Sequence, residues 1–316
     1  MTIVVLQHSL ANENNSLDDI IVGKSRFGDD IWDLSDLIPQ KTLINKMKKI
    51  CFSYIKSTHF KAIAKLYAYS KLATIKPQTV VKRIEGDLRP FIKYSDLYGI
   101  HSFKEVSKDV FLHFNSWLKN DYIIENGRNA GNKIRNKTGY RAAYVIEEII
   151  KLGQGNGWDV CRDIQFIEIN SSSIWLVNEK TKEETILNKT EPIPEELYEK
   201  ILYYAVNKEP IVQTKCGIII QSQTGLRISE VLSIQEGCVK TTNDGYDYME
   251  VYISKTEKST PTLHRIFINE LVRSAVEELE THTRSLRKES GLKELFVRKH
   301  KGKIAVITGS NFNWVR

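Results

Sequence analysis

The chain has 316 residues, 41% hydrophobic and 27% charged, which is enough to fill the cores of about two domains of ordinary size. Its longest apolar runs, such as 216–220, are far shorter than a membrane-spanning helix, and no secretion signal opens it, so we expect a cytoplasmic protein without a membrane partner. The net charge of +7 and pI near 9.0 favour a polyanionic partner, and four widely spaced cysteines without a paired motif argue against zinc and disulfide frameworks.

The first half of the chain is predicted to be a helical bundle over residues 41–157. Residues 1–40 before it are acidic and irregular, so we expect an arm with little core. The bundle is predicted from four apolar stripes at helical spacing. One stripe begins at Leu43, Met47 and Ile50 and resumes at Phe60; the second starts at Pro77 and bends or breaks at Pro90; the others run over 106–118 and 142–150, and the last stops at Gly153.

Residues 158–190 are predicted to be a linker, with β-like runs at 164–169 and 174–177 followed by a charged segment. The second domain is predicted to cover 191–316. It should open with a helix after Pro194 whose inward side chains are Leu197, Ile201, Leu202 and Ala205. A β-hairpin should follow, because apolar residues alternate at 249, 251 and 253 and again at 264, 266 and 268, around a turn at 255–261.

The segment 222–234 carries the most informative motif. It reads Ser-Gln-Thr-Gly-Leu-Arg-Ile-Ser-Glu-Val-Leu-Ser-Ile, in which Thr-Gly ends one helix and Arg227 stands in the first turn of the next. This segment resembles the first catalytic box of the tyrosine recombinases, the phage-integrase family of DNA-cutting and DNA-joining enzymes. The resemblance implies that Arg227 clamps the scissile phosphate and that Glu230 holds its guanidinium.

The chemistry accounts for an arginine at this place, because strand transfer builds negative charge on two non-bridging oxygens, which a planar guanidinium meets together. The alternative is an ordinary surface pair of Arg227 and Glu230, worth about 0.2–0.5 kcal/mol. That alternative does not explain the Thr-Gly-Leu before the pair or the hairpin after it.

The hairpin resembles the family's lysine-bearing hairpin, which makes Lys255 the candidate general acid for the departing 5′-oxygen. Lys258 is the alternative lysine, and a solvated turn lysine is the plain structural interpretation. The family pattern continues with an H-x-x-R box and a nucleophilic tyrosine. No H-x-x-R occurs in this sequence, and all 14 tyrosines lie at or before Tyr252, so we expect a C-terminally truncated, inactive form.

A basic stretch between the third and fourth helices is the candidate DNA-binding surface. Its cations are Lys133, Arg135, Lys137 and Arg141, among several Gly and Asn residues. They are suited to bind phosphates, although a solvated loop explains them equally well. For the second basic run, 298–303, we favour the solvated interpretation.

The resemblance implies a fold that is mainly α with a small antiparallel β-hairpin or sheet. It consists of a helical, SAM-like core-binding domain and the first half of a tyrosine-recombinase catalytic domain. Family members clamp double-stranded DNA, self-assemble on paired DNA sites and need no cofactor. The function implied is site-specific recombination, integration or transposition through a phosphotyrosine intermediate for a mobile genetic element. The alternatives are a non-catalytic DNA-binding protein or regulator that occupies recombination sites, and a helical protein-interaction module without salt-dependent DNA affinity.

Overall fold

The computed structural model describes residues 17–38, 40–175, 191–253 and 262–309, and these form two units. Unit 1 contains residues 17–38 and 45–175 of the described chain. Unit 2 contains residues 40–44, 191–253 and 262–309. Helices predominate in both, and every strand pairing among the described residues is antiparallel, which confirms the expectation of a mainly α fold with small antiparallel sheets.

Unit 1 is built on a set of helices with short strands before them. The strands are β1 (Ile21–Val22), β2 (Ser25–Arg26), β3 (Ile31–Asp33) and β4 (Lys49–Cys51). The helices are α1 (Thr58–Leu72), α2 (Pro77–Lys82), α3 (Arg89–Tyr98), α4 (Lys108–Asn120), α5 (Asn136–Asn156) and α6 (Ser171–Trp175). A π-helical turn, Arg83–Asp87, separates α2 from α3, and 3-10 turns cover Leu17–Asp19, Asn45–Lys48, Phe103–Glu105 and Ile164–Glu168.

The helical stripes from residue 58 onward are confirmed. The break expected at Pro90 is present, since α3 starts at Arg89 with the proline in its first turn, where its missing N–H costs no hydrogen bond. The stripe at 142–150 lies on the buried face of α5, but this helix continues past Gly153 to Gly157, whose φ of 71° closes it. An aromatic cluster fills the core between α1, α3 and α4, with Phe91 packed on Phe60 and Phe114 at ring-centroid distances of 5.7 and 5.2 Å.

The N-terminal part of unit 1 differs from the expectation in two ways. The stripe at 43–54 is not a helix: it forms a 3-10 turn and strand β4, which pairs with β3. Residues 17–38 are not an arm with little core, because Trp32 is fully buried and packs edge-on against Phe52 at 4.9 Å. Strands of two or three residues are too short to display an alternating pattern, so sequence periodicity does not predict them.

Residues 158–175 also differ from the expectation. The β-like runs predicted at 164–169 and 174–177 are wrong where the structure describes them: it has a 3-10 turn at Ile164–Glu168, and residues 174–175 belong to the helix α6. Residues 176–177 lie outside the described residues. Phe166 and Trp175 are buried in unit 1, so this part of the expected linker is packed against the bundle. Short apolar runs do not distinguish a strand from a turn of buried helix.

Unit 2 contains four helices and two small sheets among its described residues. The helices are α7 (Glu195–Asn207), α8 (Val212–Thr224), α9 (Ile228–Val231) and α10 (Glu270–Ser290). The strands are β5 (Val239–Thr241), β6 (Asp247–Ile253), β7 (Thr262–Phe267), β8 (Val297–His300) and β9 (Lys303–Val306). The first sheet has the order β5-β6-β7, and the second is the β8-β9 hairpin.

The predicted hairpin is present as β6 and β7, with Met249 paired to Ile266 and Val251 to His264. Met249 and Val251 are buried in a core shared with α8 and α10. The opening helix of unit 2 is present as α7, with two of its four predicted inward side chains, Leu202 and Ala205, on the core. The other two, Leu197 and Ile201, remain 49% and 39% exposed.

Candidate nucleic-acid interface

The Thr-Gly-Leu-Arg segment forms a sharp turn between α8 and α9. Gly225 has φ of 66°, a left-handed conformation that costs glycine little and ends α8. The Thr224 hydroxyl donates to the Ile220 carbonyl at 2.6 Å, and Leu226 is buried in the core of unit 2. The turn is therefore held on both sides of the glycine, and it places Arg227 as the residue that precedes α9.

Glu230 holds Arg227 through two hydrogen bonds. One carboxylate oxygen accepts from the Arg227 backbone N–H at 2.9 Å, and the other accepts from the guanidinium Nη1 at 3.0 Å. The carboxylate is 4% exposed, whereas the arginine side chain is 45% exposed. A buried carboxylate requires such partners, because an unpaired charge away from water is costly. The pair thus fixes the inner side of the guanidinium and leaves its outer side in solvent.

The guanidinium of Arg227 keeps hydrogen-bonding capacity for a ligand. It has five N–H donors, and Glu230 is its only hydrogen-bond partner among the residues that the structure describes. A fixed planar cation of this kind is suited to bind two oxygens of a phosphate or carboxylate group.

A hydrogen-bonded triad lies at the same end of α8. The Gln223 amide donates from Nε2 to the Tyr198 hydroxyl at 2.7 Å, and its Oε1 accepts from the Asn269 amide at 2.7 Å. Asn269 also caps α10 by accepting from the Val272 N–H at 3.1 Å. The triad connects α7, α8 and the start of α10 next to the arginine turn. Sequence reasoning gave Tyr198, Gln223 and Asn269 no role, although Asn269 before a helical stripe is a recognisable cap signal.

The hairpin lysines lie outside the described residues. The ladder between β6 and β7 is described up to the pair Ile253–Thr262, and Lys255 and Lys258 fall between those two residues. The strands on either side are as the hairpin prediction required. The position of each lysine relative to Arg227 stays a prediction.

The four cations of the basic stretch differ in exposure: three are exposed, and the fourth is partly buried. Lys133, Arg135 and Lys137 are exposed, and Arg135 immediately precedes the first turn of α5. Arg141 is partly buried, with its Nε 3.4 Å from Oδ1 of Asp87, whose side chain is 9% exposed. Burial raises the pKa of the Asp87 carboxyl, although Arg141, Lys82 and Arg83 lower it in part. Arg141 is therefore occupied by a carboxylate that the sequence did not point to.

The described residues contain neither a metal-binding cluster nor a membrane-spanning helix. No group of three or more His, Cys, Asp or Glu side chains there is arranged to hold a metal ion. None of the described helices combines the length and apolarity needed to cross a bilayer.

No protein-family model matches the sequence, and no curated protein matches it either. The solved structures that are similar to it in part include two complexes of one recombinase. The first is XerH site-specific recombinase bound to difH substrate in a pre-cleavage complex, with a TM-score of 0.46, 14% identity and coverage of 77% of this chain. This chain spans 62% of that recombinase. The second is XerH bound to palindromic difH substrate in a post-cleavage complex, with a TM-score of 0.41, 14% identity and coverage of 80% of this chain and 70% of that one.

Proposed function

We propose that this chain binds double-stranded DNA as part of a site-specific recombinase and docks a backbone phosphate on Arg227. The observation that carries the proposal is the half-exposed guanidinium held by the buried carboxylate of Glu230. In an ordinary surface pair both partners are solvated and move freely, and the pair contributes little. Burial of Glu230 instead fixes the cation in advance, which is what recognition of a charged group requires.

The proposed chemistry is transfer of a DNA phosphodiester to a tyrosine. The tyrosine oxygen attacks phosphorus, the 5′-oxygen departs, and a 3′-phosphotyrosine bond forms, so that no cofactor is needed. Arg227 stabilises the charge on the non-bridging oxygens. Lys255, or alternatively Lys258, supplies the proton to the departing 5′-oxygen from the turn between β6 and β7.

Unit 1 is proposed to hold the duplex through Lys133, Arg135 and Lys137. All three are exposed and lie just before or within the first turn of α5. Positive side chains at phosphates give affinity without base specificity. We assign Arg141 a smaller part than its three neighbours, since its partner is Asp87. The proposal also includes self-assembly of the full recombinase on paired DNA sites, and recombination on behalf of a mobile genetic element.

The attacking tyrosine is proposed to come from outside these 316 residues. The sequence contains no tyrosine after Tyr252, and Tyr252 itself lies within β6. The chain by itself is then a DNA-binding unit that does not cut. The same observation favours a second candidate function, a non-catalytic protein or regulator that occupies recombination sites.

Binding is tested with a fluorescent duplex that the chain has selected from a randomised DNA pool. Affinity is measured over a range of salt concentrations for the unchanged chain, Arg227→Ala and Arg227→Lys. The proposal predicts that Arg227→Ala weakens binding by about tenfold or more, as expected for a hydrogen bond to a charged group, and that lysine restores only part of the loss.

The control is Arg284→Ala, which removes an exposed arginine from α10 in the same unit. Affinity unchanged in Arg227→Ala, or lowered equally in Arg284→Ala, contradicts phosphate docking on Arg227. The two candidate functions are separated by a nicked version of the selected duplex. A covalent adduct that forms only when the coding sequence downstream of residue 316 is included supports the recombinase, whereas binding without any adduct supports the non-catalytic protein.

A further inference from the structure

Gln223 is the residue on which three elements of unit 2 converge beside the Arg227 turn. Its amide donates to the Tyr198 hydroxyl on α7 and accepts from the Asn269 amide at the start of α10, both at 2.7 Å. The Tyr198 hydroxyl donates in turn to the Ser222 carbonyl at 3.4 Å. Only a side chain with both a donor and an acceptor makes this pair of contacts in one orientation.

The two contacts are placed where they control the turn. Gln223 lies in the last turn of α8, two residues before Gly225 and four before Arg227. The last carbonyls of a helix have no partner within it, so a helix end moves unless side chains secure it. Thr224 bonds within α8 and to the Leu226 N–H just beyond it. Among the described residues, the polar contacts from this end of α8 to the neighbouring helices are therefore the two bonds of the Gln223 amide, together with the longer bond from Tyr198 to the Ser222 carbonyl.

The same triad reaches the hairpin. Asn269 follows β7 by two residues and caps α10 through the Val272 N–H. The Gln223–Asn269 bond therefore connects the arginine turn to the end of the returning strand.

We infer that Gln223 is a positioning residue, which sets the place of Arg227 for phosphate binding by securing the end of α8 to Tyr198 and Asn269. This inference rests on the proposed function. It predicts that Gln223 acts on DNA only through Arg227. A residue that merely stabilises the fold would weaken binding whether or not the arginine is present.

The test is a double-mutant cycle on the selected duplex. Gln223→Ala is expected to weaken binding about threefold or more, the size of one neutral hydrogen bond, and to have no effect in the Arg227→Ala background. Tyr198→Phe keeps the ring and removes one of the two contacts, so a smaller loss is expected, again only when Arg227 is present. Gln221→Ala is the matched control, because Gln221 lies in the same helix and its side chain makes no hydrogen bond with any residue that the structure describes.

The possible results distinguish a failure of this inference from a failure of the proposed function on which it rests. An unchanged affinity in Arg227→Ala contradicts the proposed function, whatever Gln223 does. A loss in Arg227→Ala combined with no loss in Gln223→Ala overturns the inference alone. An equal Gln223→Ala loss in both backgrounds also overturns it, since the effect then does not pass through the arginine. Thermal unfolding of every variant verifies that the folded chain is being compared, and Tyr198→Phe repeats the test should Gln223→Ala not fold.

Discussion

Glu230 shows how one buried charge can serve an exposed one. Its carboxylate accepts hydrogen bonds from both the backbone and the side chain of Arg227. The cost of burying the charged acid is therefore offset by the same residue that it orients. Each bond to a charged group contributes about 1.5–3 kcal/mol, more than a solvated ion pair gives. We therefore expect the acid to matter more for stability, and the arginine to matter more for the proposed phosphate binding.

Replacement of Glu230 tests this division of roles. Glu230→Ala is expected to destabilise the α8–α9 turn by about 1–3 kcal/mol, because it leaves the Arg227 backbone N–H without its acceptor. Hydrogen exchange of the amides in α8 and α9 measures the loss. The control is Glu277→Ala, which breaks the exposed pair with Arg273 and should cost less than about 1 kcal/mol. Equal losses would show that burial of the Glu230 carboxylate adds nothing.

Asp87 makes a pH-dependent contribution of the opposite sign to most carboxylates. Burial raises its pKa above the value in the unfolded chain, so the folded state binds the proton more tightly. Stability from this group is present at low pH and is lost as the pH rises through the raised pKa. The charged groups that face Asp87 are Arg141, Lys82 and Arg83, and they reduce the shift without reversing it.

The variant Asp87→Asn removes that titration. Its stability relative to the unchanged chain is expected to increase as the pH rises from the ordinary aspartate range toward neutrality. Tryptophan fluorescence in urea reports it, since the tryptophans at 32, 117, 158 and 175 all lie in unit 1. Asp96→Asn, at an exposed carboxylate of α3, gives the effect of charge removal alone. A difference that is flat with pH, or that falls, contradicts a raised pKa at Asp87.

At the scale of elements, α6 is held on the bundle by Trp175. Its indole Nε1 donates to Oδ1 of Asn115 at 2.6 Å, and its ring lies against Gly139 of α5. A Cβ at Gly139 would stand 2.3 Å from the ring, closer than packed atoms come. The glycine is therefore required by the tryptophan and not by its backbone conformation.

Gly139→Ala is expected to destabilise unit 1 by about 1–3 kcal/mol through overpacking. The matched control is Gly155→Ala on the same helix, where nothing lies within 4 Å of the added carbon, and it should be neutral or stabilising by up to about 1 kcal/mol. Urea unfolding followed by fluorescence measures both. In the background of Trp175→Ala the Gly139→Ala penalty should disappear, and its persistence would show that the ring is not the cause.

The elements that the sequence predicted are those with long repeating patterns. The stripe of α5 and the alternation of β6 each span several turns or residues, so burial leaves a clear period in the sequence. The short strands around Trp32 and the packed segment 164–175 depend on contacts between residues far apart in the chain. The same limit applies at the site, where the family resemblance of the motif indicated Arg227 and Glu230 but not the triad around Gln223, whose bonds span 25 and 46 residues.

At the scale of the whole molecule, the net charge of +7 is the excess of 46 basic over 39 acidic residues. Much of that charge is compensated locally, as at Lys299 with Glu289 and Arg141 with Asp87. Net charge therefore does not say where a polyanion binds. The place where a polyanion binds can be found by removing equal numbers of cations from two different stretches and comparing the affinities.

The two basic stretches of the chain allow this comparison, because three positive charges can be removed from each. The triple replacement of Lys133, Arg135 and Lys137 by glutamine is compared with the triple replacement of Arg298, Lys301 and Lys303, the run that we interpret as solvated. Affinity for DNA falls as the salt concentration rises, and each phosphate contact adds about 0.9 to the magnitude of the slope of log affinity against log salt concentration. Loss of the first three cations should therefore reduce that magnitude by up to about 2.7. The second should leave it nearly unchanged, apart from the general effect of charge that both variants share. If both triples lower the slope equally, DNA responds to net charge alone and the loop before α5 is not its binding surface. A large effect of the second triple alone would place the duplex on the β8–β9 hairpin instead.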